Sequence, residues 1–355
     1  YWTLDDALPE TELRFGDVRE MSPFWYEARG VDQIVANENA PSAATSEFVD
    51  RVGSSGPLLV PSINDVMPAG GMAAILADPV TRTKHIDTIL EFAESIDADG
   101  IDIDYERFAF SDGRDTWPST RRSWVAFVTE LADALHADDR TLTVSIPPVW
   151  GFADAELDDE GNPPRIDAAE GFWVYDHGVI AESVDAIRIM AYDYSVNEAG
   201  PIAPLWWVED LVATLSLVVP EEYHGKLVLG VPPYGRNWVV STIGNCPPDA
   251  EGTTSVFARS VLDLAERRDG VPQYDPVTAE WRFDYALTVE EGDFSCVQNR
   301  TVRWVDAEGV AARTEGARRA GWGGVALWAL GYEDDEVWAS LIDASRRAMA
   351  AEPAE

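Results

Sequence analysis

Short apolar runs alternate with amphipathic segments along most of the chain. Runs rich in β-branched and aromatic residues predict strands at 18–26, 58–63, 101–105, 141–146, 186–191, 227–231 and 324–328. Tyr1 and Trp2 resemble the end of one further strand. Strands of this length, separated by helical segments, predict an α/β fold in which parallel strands are joined by crossover helices.

Helix signals lie between several of these strands. Asp78 followed by Pro79 is typical of a helix start, because aspartate caps free N–H groups and proline is tolerated in the first turn. An apolar stripe at helical spacing follows, made of Ile86, Ile89, Leu90, Ala93 and Ile96. A second stripe comprises Trp124, Phe127, Val128, Leu131 and Leu135. Residues 203–219 predict a third helix, which ends before Pro220.

Eight strand–helix units close into a (β/α)8 TIM barrel, the fold that we predict for residues 1–355 as a single domain. An open, doubly wound sheet is the alternative, but no glycine-rich phosphate loop follows the early strands. Residues 239–300 interrupt the alternation between the seventh and eighth strands and include the alternating sequence WRFDY at 281–285. We therefore predict a small β-containing insertion subdomain at 239–300.

Charge and the scattered metal-binding residue types narrow the class of partner. The formal net charge is −38, from 64 acidic and 26 basic residues, so nucleic acid and anionic membranes are unfavourable partners. No apolar run approaches the ~20 residues of a membrane-spanning helix. The four histidines are scattered and no Cys-x-x-Cys motif occurs, so we expect no metal and no cofactor.

The two cysteines and the first residue bear on the compartment. Cys246 and Cys296 make an even number, which fits one disulfide in an exported protein and would close the insertion. Two unrelated buried thiols are the alternative. The chain starts at Tyr1 rather than Met, and we interpret it as a mature or trimmed chain.

The sequence SIDADGIDIDYERF, which begins at Ser95, allows two interpretations. Counted from Ser95 it nearly matches the calcium loop of a helix–loop–helix motif, but the first ligand position then holds serine rather than aspartate. Counted five residues later it alternates, so that Asp102, Asp104 and Glu106 share one face of a strand. Because the barrel pattern requires a strand here, we favour the strand.

Three acidic side chains in a row suit general acid catalysis. Side chains two positions apart on a strand lie about 6.6 Å from each other, and two charges at that distance repel by about 2.5 kcal/mol at an effective dielectric near 20. Such repulsion raises one carboxyl pKa by roughly two units, which keeps a proton available at neutral pH. Glu106 is last in the row, nearest the C-terminal rim where barrel active sites lie.

Four segments, in order, resemble the family 18 glycoside hydrolases, the chitinase-like enzymes. Residues 99–106 (DGIDIDYE) resemble the motif DGxDxDxE, and residues 190–193 (MAYD) resemble the sixth-strand motif MxYD. Residues 230–236 (GVPPYGR) are similar to the seventh-strand segment, and residues 324–328 (GVALW) to the last strand. The resemblance spans nearly the whole chain and implies a TIM barrel that hydrolyses β-linked N-acetylglucosamine glycans with retention.

The resemblance also implies roles for individual residues. Glu106 would protonate the glycosidic oxygen, and Asp104 would hold the substrate's 2-acetamido group, which attacks in place of a protein nucleophile. Asp102 would exchange charge or a proton with Asp104. Tyr192 would donate a hydrogen bond to the acetamide oxygen, with Asp193 nearby. The side chains expected to contact the sugar are Trp328, as a stacking platform, and Met190, Tyr234, Trp25 and Arg236.

Two departures from the family pattern bear on the substrate. The SxGG turn of many chitinases is replaced by residues 61–65 (PSIND), and the last strand continues as residues 329–334 (ALGYED). Both resemble the bacterial branch of cell-wall and spore-cortex N-acetylglucosaminidases. We expect a secreted or wall-associated monomer that acts on chitin-type oligomers or peptidoglycan, with N-glycan cores also open. The alternative is a non-catalytic chitinase-like lectin, although such relatives usually lack the acid and Glu106 is present.

Overall fold

The computed structural model describes residues 14–37, 40, 52, 56–158, 160 and 162–351. Their strands are β1 (Glu20–Met21), β2 (Tyr26–Gly30), β3 (Gln33–Ala36), β4 (Leu58–Leu59), β5 (Ser62–Asp65), β6 (Gly100–Asp104), β7 (Thr141–Ile146), β8 (Val149–Trp150), β9 (Glu170–Gly171), β10 (Ala186–Ile189), β11 (Leu227–Val231), β12 (Tyr234–Asn245), β13 (Thr254–Phe257), β14 (Gln273–Asp275), β15 (Glu280–Glu291), β16 (Phe294–Trp304) and β17 (Gly324–Leu327). The predicted strand end at Tyr1 and Trp2 lies outside the described residues.

The α-helices of the described residues are α1 (Gly71–Ala77), α2 (Pro79–Ser95), α3 (Arg107–Phe110), α4 (Trp117–Ala137), α5 (His177–Ile180), α6 (Leu205–Val218), α7 (Ala258–Arg267), α8 (Ala307–Arg319) and α9 (Asp335–Ala351). Among them, none combines the length and the apolar character needed to cross a membrane. The third predicted helix, at 203–219, corresponds to α6 and ends before Pro220 as expected.

The chain packs into two compact units. The first contains the described residues up to Met190 together with Leu211–Val228 and Ala320–Gly323, and the second contains Ala191–Asp210, Leu229–Arg319 and the residues from Gly324 onward. The single domain over residues 1–355, with an insertion at 239–300, stays a prediction.

A parallel sheet forms the centre of the first unit. Its strand order is β10-β7-β6-β5-β2, with every neighbouring pair parallel, and the short β3 pairs antiparallel with β2. The register places Ser62 on one side of Asp102 and Thr143 on the other. It also pairs Arg188 with Ser145. The predicted parallel strands with helices between them are therefore present, and they bring polar side chains of neighbouring strands together around β6.

Both predicted helix signals are confirmed. The Asp78 carboxylate accepts hydrogen bonds from the backbone N–H groups of Val80, at 2.7 Å, and Thr81, at 3.2 Å. Helix α2 accordingly begins at Pro79. The stripe that predicts α4 is fully buried, with Trp124, Phe127, Val128, Leu131 and Leu135. The apolar face of each helix therefore packs inward, which is what its spacing predicts.

Two predicted strands are interrupted by proline. The strand predicted at 18–26 is instead β1 and β2 with Pro23 between them, and the strand predicted at 58–63 is β4 and β5 with Pro61 between them. Proline has no N–H group to donate to a strand ladder, so each apolar run breaks there.

An antiparallel sheet of five strands, ordered β13-β12-β16-β15-β14, dominates the second unit. It lies in sequence between β11 and β17, where the insertion is predicted. Phe283 and Trp304 are buried on one face of the sheet and pack with Val261 of α7. The neighbours of Phe283 along β15, Arg282 and Asp284, are exposed, so the alternation predicted at 281–285 is confirmed.

Cys246 and Cys296 form a disulfide, which confirms the pairing predicted from the even number of cysteines. Replacing both by serine is expected to lower the free energy of unfolding by about 4 kcal/mol, the value that chain entropy gives for a loop of about 50 residues. Urea unfolding of the oxidised protein and the double variant measures the difference. An unchanged midpoint would mean that the β12–β16 ladder alone holds the loop, and two free thiols found by mass spectrometry would contradict the disulfide.

Candidate active site

The acidic residues of the segment DGIDIDYE lie at and beyond the end of one buried strand. Asp102 and Asp104 belong to β6, all of which is buried, so the strand interpretation is confirmed over the calcium loop. The strand ends at Asp104, and Glu106 lies half-buried at the entry to α3. The prediction that all three share one strand face is therefore wrong for Glu106, because the chain turns towards α3 after Tyr105.

Asp102 accepts hydrogen bonds from three other strands of the sheet, the adjacent β5 and β7 and the more distant β10. Ser62 Oγ donates to its Oδ2 at 2.5 Å, and Ser145 Oγ donates to both carboxylate oxygens, at 2.8 and 3.0 Å. Arg188 Nη1 donates to Oδ2 at 3.1 Å. Burial raises the pKa of Asp102, while the charge of Arg188 and the two hydroxyl groups oppose that rise. All of these donors stabilise the ionised carboxylate.

Asp104 is equally buried but has a different environment. Its Oδ1 is buried and has no hydrogen-bond partner within the described residues. Burial raises the pKa of Asp104 well above its usual range, and the charges of Glu106 and Asp102 raise it further. The raised pKa expected from repulsion in the acidic row thus falls on Asp104, with burial rather than repulsion as the main cause. A carboxyl group in such surroundings holds a proton more strongly than an exposed one does.

The segment that leads to Glu106 is fixed by buried aromatic contacts. The hydroxyl of Tyr105 lies 2.7 Å from His85 Nε2, and Tyr175 Oη donates to the carbonyl oxygen of Tyr105 at 2.8 Å. Burial lowers the pKa of His85, so its ring is neutral near pH 7. The rings of Tyr105 and Phe127 stack at 5.9 Å. These contacts set the direction in which the chain enters α3, and therefore the position of Glu106.

A second group of predicted residues surrounds Asp193, in the second unit. Tyr234 Oη and Arg236 Nη2 both donate to Asp193 Oδ1, each at 2.9 Å. Asp193 has a left-handed backbone with a φ of 56°, and the rings of Tyr192 and Tyr234 are 6.2 Å apart. Burial, followed by the charge of Asp193, raises the pKa of Tyr234 well above its usual range, so its hydroxyl remains a donor. The structure therefore brings four predicted residues together here.

The remaining predicted residues lie at strand ends. Trp328 follows β17, is half-buried, and its backbone N–H donates to the carbonyl oxygen of Val231 at 3.1 Å. Met190 follows β10 and is also half-buried, and its backbone N–H donates to the carbonyl oxygen of Ile146 at 3.1 Å. Trp25 comes directly before β2 and is only 4% exposed. The sugar contacts predicted for these three side chains stay predictions.

Two charged residues linked to Asp102, Arg188 by direct contact and Glu20 through Arg188, are not predicted from the sequence. Arg188 reaches Asp102 from β10, and its Nη2 lies 2.9 Å from Glu20 Oε2. Its Nη1 also donates to Ser22 Oγ at 2.7 Å. One signal could have identified it, since Arg188 is the single charged residue in the strand AIRI of a chain with only 26 basic residues. The contacts themselves join positions more than 80 residues apart, so no local pattern shows them.

Known proteins resemble this chain in sequence or in fold. Residues 64–333 match the family Glycosyl hydrolases family 18. The protein YdhD of Bacillus subtilis (strain 168), provisionally described as a sporulation-specific glycosylase, is 27% identical over 204 residues, which cover 56% of this chain and 41% of that protein. The chitinase structure from Chromobacterium violaceum ATCC 12472 has a TM-score of 0.72 at 22% identity and covers 98% of this chain and 96% of its own.

A bacterial spore protein has a similar fold. The spore cortex-lytic enzyme SleL of Bacillus megaterium QM B1551 has a TM-score of 0.71 at 16% identity, with 96% of this chain and 70% of that chain covered. The predicted likeness to bacterial spore-cortex proteins is thereby confirmed. The chain spans less than half the length of YdhD.

The family match and the solved structures agree on the fold. The chain is a (β/α)8 TIM barrel, as predicted. The antiparallel sheet is the predicted β-containing insertion, and it lies in sequence between β11 and β17, the strands predicted as the seventh and eighth of the barrel. The matched residues include Asp102, Asp104 and Glu106 as well as Asp193 and Trp328. This chain belongs to family 18 of the glycosyl hydrolases.

Proposed function

We propose that the protein hydrolyses β-linked N-acetylglucosamine glycans with retention, using the substrate's own 2-acetamido group as the nucleophile. The contrast between the two buried aspartates carries the proposal. Asp102 is surrounded by donors, whereas Asp104 keeps a buried oxygen with no hydrogen-bond partner among the described residues. A substrate acetamide N–H supplies the missing donor, and a buried partner holds it in one orientation.

The proposed reaction has two displacements at the anomeric carbon. In the first, Glu106 gives its proton to the glycosidic oxygen while the acetamide oxygen attacks C1, which forms a cyclic oxazolinium ion and releases the leaving sugar. Asp104 accepts the acetamide N–H. In the second, the Glu106 carboxylate takes a proton from water as the water oxygen attacks C1 and reopens the ring. Two inversions leave the β configuration.

We propose peptidoglycan or chitin-type oligomers as the substrate class. The folds of a chitinase and of a spore cortex-lytic enzyme both cover nearly all of this chain, which supports either glycan. The sequence PSIND at 61–65, in place of the chitinase turn, favours the bacterial wall. The disulfide supports an exported protein, secreted or associated with the wall, because such bonds persist in oxidising compartments.

Matched oligosaccharides with and without the N-acetyl group test the proposal. The N-acetylated oligomer is expected to be hydrolysed with the β anomer formed first, and the oligomer with a free amine is expected to be inert, since it lacks the nucleophile. NMR follows both the rate and the anomer. Equal rates on the two oligomers, or an α product, would rule out the acetamide route. Parallel digestion of purified peptidoglycan and chitin oligomers then identifies the glycan.

A further inference from the structure

A partly buried ion-pair network joins Asp102 of β6 to Arg188 of β10 and, through it, to Glu20 of β1. The Arg188 side chain is 14% exposed and contacts two carboxylates, Asp102 through Nη1 at 3.1 Å and Glu20 through Nη2 at 2.9 Å. Ser22 Oγ accepts a further bond from Nη1 at 2.7 Å. A guanidinium held at both nitrogens cannot turn away from Asp102 without losing these contacts, so its direction is fixed.

We propose that Arg188 is a positioning residue of the hydrolase: aimed by Glu20 and Ser22, it fixes Asp102 as the charged member of the buried pair and leaves the shared proton on Asp104. The inference rests on the proposed function for its catalytic meaning. It goes beyond that function because it assigns a task to a residue that touches no reacting atom.

The geometry distinguishes the two aspartates. Asp102 has three side-chain donors, Ser62, Ser145 and Arg188, all of which favour its ionised form. If Asp102 were protonated, the Arg188 guanidinium would contact a neutral carboxyl group, and the positive charge of Arg188 would be less compensated. Asp104 has a buried, unpartnered oxygen, so it is the less costly place for a proton. The charge of Arg188 also lowers the pKa of Asp104, but Asp102 is in direct contact with it.

The charged and titratable groups around the pair Asp102 and Asp104 come from several elements of the described residues. Strand β10 contributes Arg188, β1 contributes Glu20, and β6 itself contributes Asp104 with Glu106 beyond it. Strands β5 and β7 contribute the hydroxyl groups of Ser62 and Ser145, and β5 also carries the carboxyl group of Asp65, whose pKa burial raises to about 6. Arg188 lowers the pKa of Asp102, whereas Glu20 raises it. Removal of the Arg188 charge should therefore move the titration of Asp102 to higher pH, and removal of the Glu20 charge should move it to lower pH.

The variant Arg188→Gln tests the proposal. The titration of Asp102 is expected to move to higher pH by about one to three units, the usual effect of losing a contacting opposite charge. The acid limb of the kcat profile should move with it, because the pair takes up its second proton at higher pH. Unfolded protein in the preparation lowers the rates without changing the shape of the pH profile, so it does not imitate the shift.

Three further variants separate this role from a structural one. Arg188→Lys keeps the charge and is expected to restore most of the profile. Glu20→Gln should move the titration to lower pH. Arg165→Gln removes an exposed arginine that pairs with Asp167, and it should move nothing. A purely structural Arg188 would instead lower the melting temperature in both of its variants and leave the titration of Asp102 in place.

The deciding measurement is NMR of the protein labelled with 13C at the aspartate carboxyl carbons, the Asp102 signal being identified by its loss in Asp102→Asn. A titration that moves up in Arg188→Gln and returns in Arg188→Lys supports the proposal. A titration that stays in place overturns it. This readout needs no substrate, so a protein that fails to hydrolyse N-acetylated glycans would refute the proposed function while the assignment of charge to Asp102 is still decided.

Discussion

Replacing Glu106 by glutamine is expected to lower kcat by about 10²–10⁴-fold, the usual contribution of a general acid. Glutamine keeps the shape of the side chain but has no proton to give to the glycosidic oxygen. Glu106 makes no side-chain capping bond to α3, so the variant loses no helix cap. Initial rates on an N-acetylated oligomer, with kcat and KM separated, measure the effect. The loss should appear in kcat, because proton transfer occurs in the transition state.

The same variant should be at least as stable as the parent near neutral pH. The charge of Glu106 is the second cause, after burial, of the raised pKa of Asp104. A carboxyl group with a raised folded-state pKa contributes stability that is present below its unfolded pKa and is lost as the pH rises through the folded one. Without the Glu106 charge the folded pKa of Asp104 is lower and less stability is lost. The gain should therefore vanish below about pH 4, near the unfolded pKa of aspartate, and grow towards neutrality.

A matched substitution on an exposed helix face controls for the chemistry of the change. Glu91→Gln on α2 removes the same charge from an exposed side chain and should alter neither kcat nor stability appreciably. Full activity in Glu106→Gln would refute the acid role. Lost activity together with a large fall in stability would show that Glu106 acts through the fold rather than through its proton.

Local pattern was sufficient for most elements of the barrel. Periodic apolar positions predicted α2 and α4 because one face of each helix is buried, and alternation at 281–285 predicted β15 because one face of that sheet is buried. The breaks at Pro23 and Pro61 could also have been predicted, since proline cannot donate to a ladder.

Partners distant in sequence were beyond the reach of such patterns. The acidic strand was found from its spacing, but the reason for the raised pKa of Asp104 was not, because burial depends on the strands packed beside it. Arg188 was missed for the same reason, its partner Glu20 being 168 positions away. The contact of Tyr234 and Arg236 with Asp193 likewise joins two motifs that the sequence shows only as separate segments.

The second large effect is expected at a buried ion pair in the second unit, Arg313 with Glu280. Both side chains are fully buried, and Arg313 Nη2 lies 3.6 Å from Glu280 Oε1. Glu280 accepts the backbone N–H groups of Ile202, at 3.1 Å, and Ala203, at 2.7 Å. Arg313 donates to the carbonyl oxygens of four residues, Ala203, Thr278, Ala279 and Gly309. The pair therefore ties a loop, β15 and α8 to one another.

Burial dominates the energetics of this pair. It raises the pKa of Glu280 and lowers the pKa of Arg313 to about 10, so desolvation exceeds the mutual attraction for both partners. The guanidinium nevertheless stays charged at neutral pH. A pair of this kind adds little net stability when intact, but removal of one partner leaves the other charge buried and uncompensated.

Glu280→Gln is accordingly expected to lower the free energy of unfolding by about 3–5 kcal/mol, and Arg313→Met by a similar amount. The double variant should lose less than the sum of the two, because neither charge is then left alone. Urea unfolding of all four proteins completes the cycle, and Glu27→Gln, which breaks the more exposed pair with Arg29, serves as the control with a much smaller loss. Additive losses would show that the two side chains act separately, through their backbone hydrogen bonds. A Glu280→Gln variant as stable as the control would mean that Arg313 is satisfied by its carbonyl partners alone.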